Sequence, residues 1–252
     1  DYELCDVNNS PDGIEVFDLT NVSLTADITN GAAGLTLYYY ENQADALANT
    51  TANQISNPAT YSNTSSPNQQ TIWITAENAA GCIDVTSVDL IVNPLPVLTP
   101  LAPMNGCSDG VNPNSAPFNL TLNDPLVTGG QPGYVVTYHL NQSDADADIN
   151  PLVSPYNSTS NAQIVTVRVE NATTGCYATT TLQLNVTQGP VANTPTPLTY
   201  CDPNNDGIGT FTLQDALNDI SGGPTPTGVT VTFHETPEDA EFGTNAIDIS
   251  TL

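Results

Sequence analysis

The chain has no lysine and one arginine, Arg168, against 27 acidic residues, which gives a formal net charge of −26 over 252 residues. Nucleic acids are held by Lys and Arg that displace phosphate counterions, so a nucleic-acid partner is excluded. Docking to an anionic membrane surface fails for the same reason. Without lysine the chain forms no Schiff base and no lysine-derived cross-link. No apolar run approaches the roughly 20 residues of a membrane span, so direct membrane insertion is not expected. No secretion signal opens the sequence, as expected of a mature chain or an internal fragment. Histidine occurs twice and tryptophan once.

What is present is a repeat. Leu4-Cys5-Asp6 leads to Asp12-Gly13 and Phe17-Asp18-Leu19, and Tyr200-Cys201-Asp202 leads to Asp206-Gly207 and Phe211-Thr212-Leu213. Between them Gly106-Cys107 leads to Phe118-Asn119-Leu120. The first cysteines recur at about 100-residue spacing, a length that buries a core of its own. The expected domains are a first repeat over 1–93, a second over 94–187 with a Pro-rich lead-in at 94–104, and a third over 188–252 that is cut short. Pro-rich segments separate them; these are semi-rigid spacers or the first strand of the following module. A rod-like array is expected from either.

Each module reads as all-β. Runs rich in Val, Ile, Thr and Tyr lie between clusters of Asn, Gly, Pro and Ser. They cover Val16–Leu19, Leu35–Tyr40, Thr71–Glu77 and Ile83–Val92, then Phe118–Leu122, Tyr134–Leu140, Gln163–Glu170 and Tyr177–Val186. Alternation in Ile164-Val165-Thr166-Val167-Arg168-Val169 gives each strand one buried and one wet face. The expected architecture is tandem immunoglobulin-like β-sandwiches of about seven strands, with a barrel as the alternative. Helix is confined to short turns near Ala44–Ala48 and Gln214–Asn218.

Five cysteines brace this scheme. Each complete module has a second one after a Gly turn, Cys82 and Cys176. The natural pairs are Cys5–Cys82 and Cys107–Cys176, each a clamp at one pole of its own module, with Cys201 lacking a partner. Structural disulfides imply an oxidising, extracellular setting.

Three features invite chemistry. Asp202, Asn204 and Asp206-Gly207 place oxygen ligands at positions one, three and five of a tight loop, as calcium loops do; Asp6, Asn8 and Asp12-Gly13 form a stretched version. The other reading is an Asx-rich turn without metal. The second module breaks the pattern at Cys107-Ser108-Asp109-Gly110-Val111-Asn112. Aligning Asp45-Ala46, Asp144-Ala145 and Asp239-Ala240 puts Tyr40, His139 and His234 in one strand slot, so the histidines have a packing role and no catalytic residue is assigned. Trp73 and Thr75 fall on the outer face of their strand, where Trp73 either stacks on a sugar or lies against neighbouring side chains. Nothing else points to an enzyme.

The order Cys-Asp…Asp-Gly…Phe-x-Leu, then Thr-x-Tyr-Tyr/His, then Val-x-Val-Arg-Val-Glu and Gly-Cys, resembles repeat modules of large Bacteroidota cell-surface adhesins. That group is exported by the type IX secretion system and includes gliding-motility adhesins. The resemblance implies a bacterial cell-surface protein and a sorting domain beyond Leu252. The expected function is a structural or adhesive stalk segment. Its partners are other copies of the repeat in the same chain, and surface glycans or other cell-surface proteins. A non-catalytic carbohydrate-binding array, or an accessory region of a secreted hydrolase, is the alternative. Calcium is the one candidate cofactor.

Overall fold

The computed structural model describes residues 1–108 and 112–249. The first module carries β1 (Tyr2–Cys5), β2 (Val16–Phe17), α1 (Val22–Thr29), β3 (Leu35–Tyr40), α2 (Gln43–Ala48), β4 (Tyr61–Ser62), β5 (Gln69–Asn78) and β6 (Ile83–Asn93). One sheet has the order β1-β6-β5-β3, and β2 pairs with β4 in a second ladder. The core lies under these strands: Phe17, Leu19, Tyr39, Tyr61, Ile72, Ile74, Val88, Leu90 and Val92 are buried together. Alternation explains the selection, since Ile72 and Ile74 on β5 and Leu90 and Val92 on β6 point the same way.

The second module repeats the plan with β7 (Met104–Cys107), β8 (Pro117–Phe118), α3 (Asp124–Val127), β9 (Tyr134–His139), α4 (Gln142–Ala147), β10 (Tyr156–Asn157), β11 (Gln163–Asn171) and β12 (Tyr177–Thr187). Its sheet runs β7-β12-β11-β9, and β8 pairs with β10. The chain is therefore tandem, all-β and immunoglobulin-like, with the last strand beside both its hairpin partner and the leading strand. Six strands per module occupy the described residues rather than the expected seven. After β3 and β9 the chain turns into α2 and α4, because Asn42 and Asn141 accept the Asp45 and Asp144 N–H groups and cap a helix there. Similarly, Phe118 joins a strand but Leu120 begins a 3-10 turn, so the run Phe118–Leu122 is only half extended.

The outer face of each main sheet is not wet as alternation implied. Thr75 and Arg168, in matching slots, are both buried because α2 and α4 lie over them. Thr75 donates its hydroxyl to the Ala46 carbonyl at 2.7 Å, and Arg168 Nη1 donates to the Ala145 carbonyl at 3.2 Å. Arg168 also pairs with Glu170 and stacks 3.5 Å over the Tyr177 ring. The only basic side chain is thus committed inside the second module.

The Pro-rich lead-ins form no strand. Each docks on the helix that follows its module's Phe-x-Leu: Thr99 N–H donates to the Val127 carbonyl at 3.0 Å, and Asn193 N–H to the Ile220 carbonyl at 2.8 Å. In the third repeat α5 (Leu217–Ser221) and α6 (Pro237–Phe242) form, but no strand occurs among the described residues of 188–249. In the first two modules the leading strand and β3 or β9 each pair with one of the two long hairpin strands. Among the described residues of 197–249 no such pair of long strands occurs, and residues 229–234 join no ladder. By compactness the chain divides into Asp1–Leu101 with Leu120–Val153 and Val165–Leu182, and Ala102–Asn119 with Ser154–Ile164 and Gln183–Leu252.

Candidate functional site

The site that sequence and fold build together is a disulfide. Strand β1 runs parallel to β6, with Tyr2 opposite Leu90 and Cys5 opposite Asn93. The Asp6 N–H continues the ladder to the Asn93 carbonyl at 2.9 Å. Cys5 therefore stands at the pole where β6 ends. Cys82 stands where β6 begins, after a turn in which Gly81 (φ +79°) donates to the Asn78 carbonyl and Asn78 Oδ1 accepts the Cys82 N–H. With about 3.3 Å rise per strand residue, the length of β6 puts the two cysteines roughly 35 Å apart. A disulfide tolerates Cα separations of about 7 Å at most. The expected bond Cys5–Cys82 is therefore impossible within the module.

The same register corrects the second pair. Cys107 ends β7 opposite Thr187, at the finish of β12, and the Ser108 N–H donates to the Thr187 carbonyl as Asp6 does to Asn93. Cys176 precedes the first residue of β12, so Cys107–Cys176 is also excluded. The bond that forms is Cys5–Cys176, with a Cα–Cα distance of 5.5 Å and 171 residues of separation. It joins the exit pole of the first module to the hairpin pole of the second. Cys176 is held there by a turn in which Gly175 (φ +72°) donates to the Asn171 carbonyl and the Asn171 N–H donates to the Cys176 carbonyl. Its sulfur is fully buried, whereas Cys82, Cys107 and Cys201 are free and exposed.

The loop after Cys5 is ordered by a residue that the repeat did not reveal. Glu15 is 4 % exposed, and its carboxylate accepts the Val7 and Asn8 N–H groups and the Asn8 side-chain amide. Burial pushes its pKa up, but these hydrogen bonds, with that from Val16, outweigh burial and hold it below the usual carboxylate range. Asn63, fully buried, accepts the Glu15 N–H and donates to the Gly13 carbonyl. A Cβ at Gly13 (φ +69°) would lie 2.4 Å from Asn68 Oδ1, so glycine is required. Gly209 stands where a copied Glu15 would stand in the third repeat, so the repeat carries no signal for it.

The candidate calcium residues act largely as turn formers. Gly13 N–H donates to Asp6 Oδ2, Asn8 to Glu15, and Ile14 N–H to Asp12 Oδ1. In the third repeat Gly207 N–H donates to Asp202 Oδ2, Asn204 to Asp206 Oδ2, and Ile208 N–H to Asp206 Oδ1. Among the described residues no three His, Cys, Asp or Glu side chains gather as a metal cluster. Asp109, Gly110 and Val111 of the broken second copy lie outside the described residues.

The histidine slot is structural. His139 is fully buried; its Nδ1–H donates to the Ile149 carbonyl at 2.8 Å, and Nε2 shares a hydrogen bond with the Thr137 hydroxyl at 2.9 Å. His234 repeats this with the Thr244 carbonyl and the Thr232 hydroxyl. A carbonyl only accepts, so each ring donates from Nδ1, and both nitrogens of each are occupied. Tyr40 fills the slot in the first module, bonded through its hydroxyl to Asn49 and Gln54. Trp73, opposite Tyr40, is half-buried and lines a polar cleft with Glu41, Ser65, Ser66, Gln69 and Thr71.

The model of the Flavobacterium inter-domain disulphide bond domain matches residues 1–96, 103–190 and 197–252. No curated protein matches the chain. Solved structures with some likeness include the human desmocollin-1 ectodomain (15 % identity, 68 % of this chain and 37 % of that one, TM-score 0.21). Human mucin-like protocadherin EC1-2 (12 %, 75 % and 95 %, TM-score 0.18) and zebrafish RET cadherin-like domains 1 to 4 (5 %, 77 % and 48 %, TM-score 0.20) are others. The chain spans little more than a third of the desmocollin's length, and TM-scores this low add nothing to the fold already described.

Proposed function

The chain belongs to the Flavobacterium inter-domain disulphide bond domain family, and from that premise we propose that it is a serially stapled stalk segment of an extracellular multidomain adhesin. The observation that carries this is the bond Cys5–Cys176 between successive modules. Each module presents its first cysteine at one pole and its second at the other. A bond within a module is out of reach, while a head-to-tail neighbour brings unlike poles together. The rule "first cysteine of one module, second cysteine of the next" gives each exposed thiol a role. Cys107 and Cys201 bind the module that follows, and Cys82 binds the module that precedes.

Such staples suit a chain that bears load outside the cell. Surface display, export through the type IX secretion system and a share in gliding motility are parts of this proposal that rest on the repeat's resemblance. Adhesion would come from many weak contacts whose strength multiplies through linkage. The chain's like charges would keep neighbouring copies apart at low salt. A second reading, carbohydrate binding, is favoured by Trp73 in its polar cleft. Beads coated with the full chain are expected to be retained on cell envelopes or glycan surfaces above the level of uncoated beads. Retention abolished by Trp73→Ala would make the ligand a glycan; no retention on any surface would leave the segment a spacer and remove the adhesive part of the proposal.

A further inference from the structure

A buried carboxylate oxygen needs a donor or a cation, since leaving charge unpaired away from water costs several kcal/mol. Asp6 is 2 % exposed, and its Oδ1 is buried with no hydrogen-bond partner. Asp202, its counterpart in the third repeat, is only half-buried as a residue, but its Oδ1 is likewise inaccessible and unpartnered. The two loops differ in length, with the bonded glycine seven residues on in one and five in the other, yet both leave the same oxygen bare. Where the second module substitutes Ser108, the hydroxyl accepts the Gly189 N–H at 3.0 Å. The bare oxygen thus follows the aspartate and not the loop.

No lysine or arginine side chain is free to neutralise it. The sequence has one basic residue, Arg168, already bound to Glu170, Ala145 and Tyr177. We infer that Asp6 and Asp202 each give Oδ1 to a bound calcium ion. The neighbours offer hard oxygen donors: Asn8 and Asn204 spend their Nδ2 groups on Glu15 and Asp206, which leaves their Oδ1 atoms to accept. Irregular loops of carboxylate, amide and carbonyl oxygens suit calcium rather than the strict octahedron of magnesium. With few carboxylates per site the affinity falls in the extracellular class, Kd ~10⁻⁴–10⁻³ M. Asp6 adjoins Cys5, so one ion sits at the inter-module disulfide. This inference does not depend on the adhesin reading.

Equilibrium dialysis of the full, disulfide-bonded chain against radiolabelled calcium in about 0.15 M KCl, where charge screening suppresses diffuse binding, tests it. Two saturable sites are expected, one remaining in Asp6→Asn, one in Asp202→Asn and none in the double variant. Control variants at the exposed acids Asp27→Asn and Asp84→Asn are expected to keep both. Absence of saturable binding, two sites surviving in the double variant, or equal loss in the controls would overturn the assignment. If Asp6→Asn proves unfolded by circular dichroism, Asp202→Asn alone decides: one site supports the inference and two refute it.

Discussion

Pulled from its two ends, the chain is expected to gain about 600 Å of extended length when the disulfide is reduced, from 171 residues at roughly 3.5 Å each. The reason is topological. With Cys5 bonded to Cys176, the load passes from the first residues through the sulfurs and leaves by β12. Everything between the two cysteines, including β2 to β6 and the linker, carries no tension whatever its own stability. Pulling at constant force with reductant added should show this length released in one step. The intramodule pairing would give two separate releases, each under half as long. Two such steps would refute the load path described here.

The second large effect is thermal. Closing a loop of this size removes denatured-state entropy worth about 5 kcal/mol on the chain-entropy model. For modules of this combined size each kcal/mol is worth roughly 2–4 °C. The double variant Cys5→Ser/Cys176→Ser is therefore expected to melt about 10–20 °C below the parent in calorimetry. The triple variant Cys82→Ser/Cys107→Ser/Cys201→Ser is expected to melt within about 2 °C of the parent, because surface substitutions away from a bond change little. A large fall in the triple variant as well as in the double would mean that the bonds lie within modules, since each variant then removes one cysteine from both bonds.

Much of the fold was legible because it is periodic. Strand β3 follows the run Leu35–Tyr40 to its limits, and β5, β6, β11 and β12 differ from their runs by one or two residues at the ends. These strands carry the apolar alternation that a core selects. The short strands β1 and β7 lack it: Tyr2–Cys5 and Met104–Cys107 are held by parallel ladders to a strand over 80 residues away or nearly so, not by pattern. Helix α1 escaped notice because Val, Thr and Ile favour strands. Its signals were the caps, Asn21 accepting the Ser23 N–H and Asn30 in the left-handed region before Gly31.

The site was half legible. That cysteines brace the modules follows from their placement after Phe-x-Leu lead-ins and Gly turns. Which two pair depends on whether the leading strand lies parallel or antiparallel to the last one, and local periodicity is silent on direction. Tyr40 shares the slot of the two histidines, and in all three copies the side chain is hydrogen-bonded to a neighbouring loop. Glu15, which orders the loop beside Cys5, has no counterpart in the other repeats and carried no signal.

Peptide mapping under non-reducing conditions reads the cysteine pairing directly. Arg168 is the only basic residue, so trypsin is of little use and a Glu- or Asp-directed protease is needed. One cross-linked species joining the peptide of Cys5 to that of Cys176 is expected, with Cys82, Cys107 and Cys201 alkylated without reduction. Peptides joining Cys5 to Cys82 and Cys107 to Cys176 would contradict this pairing.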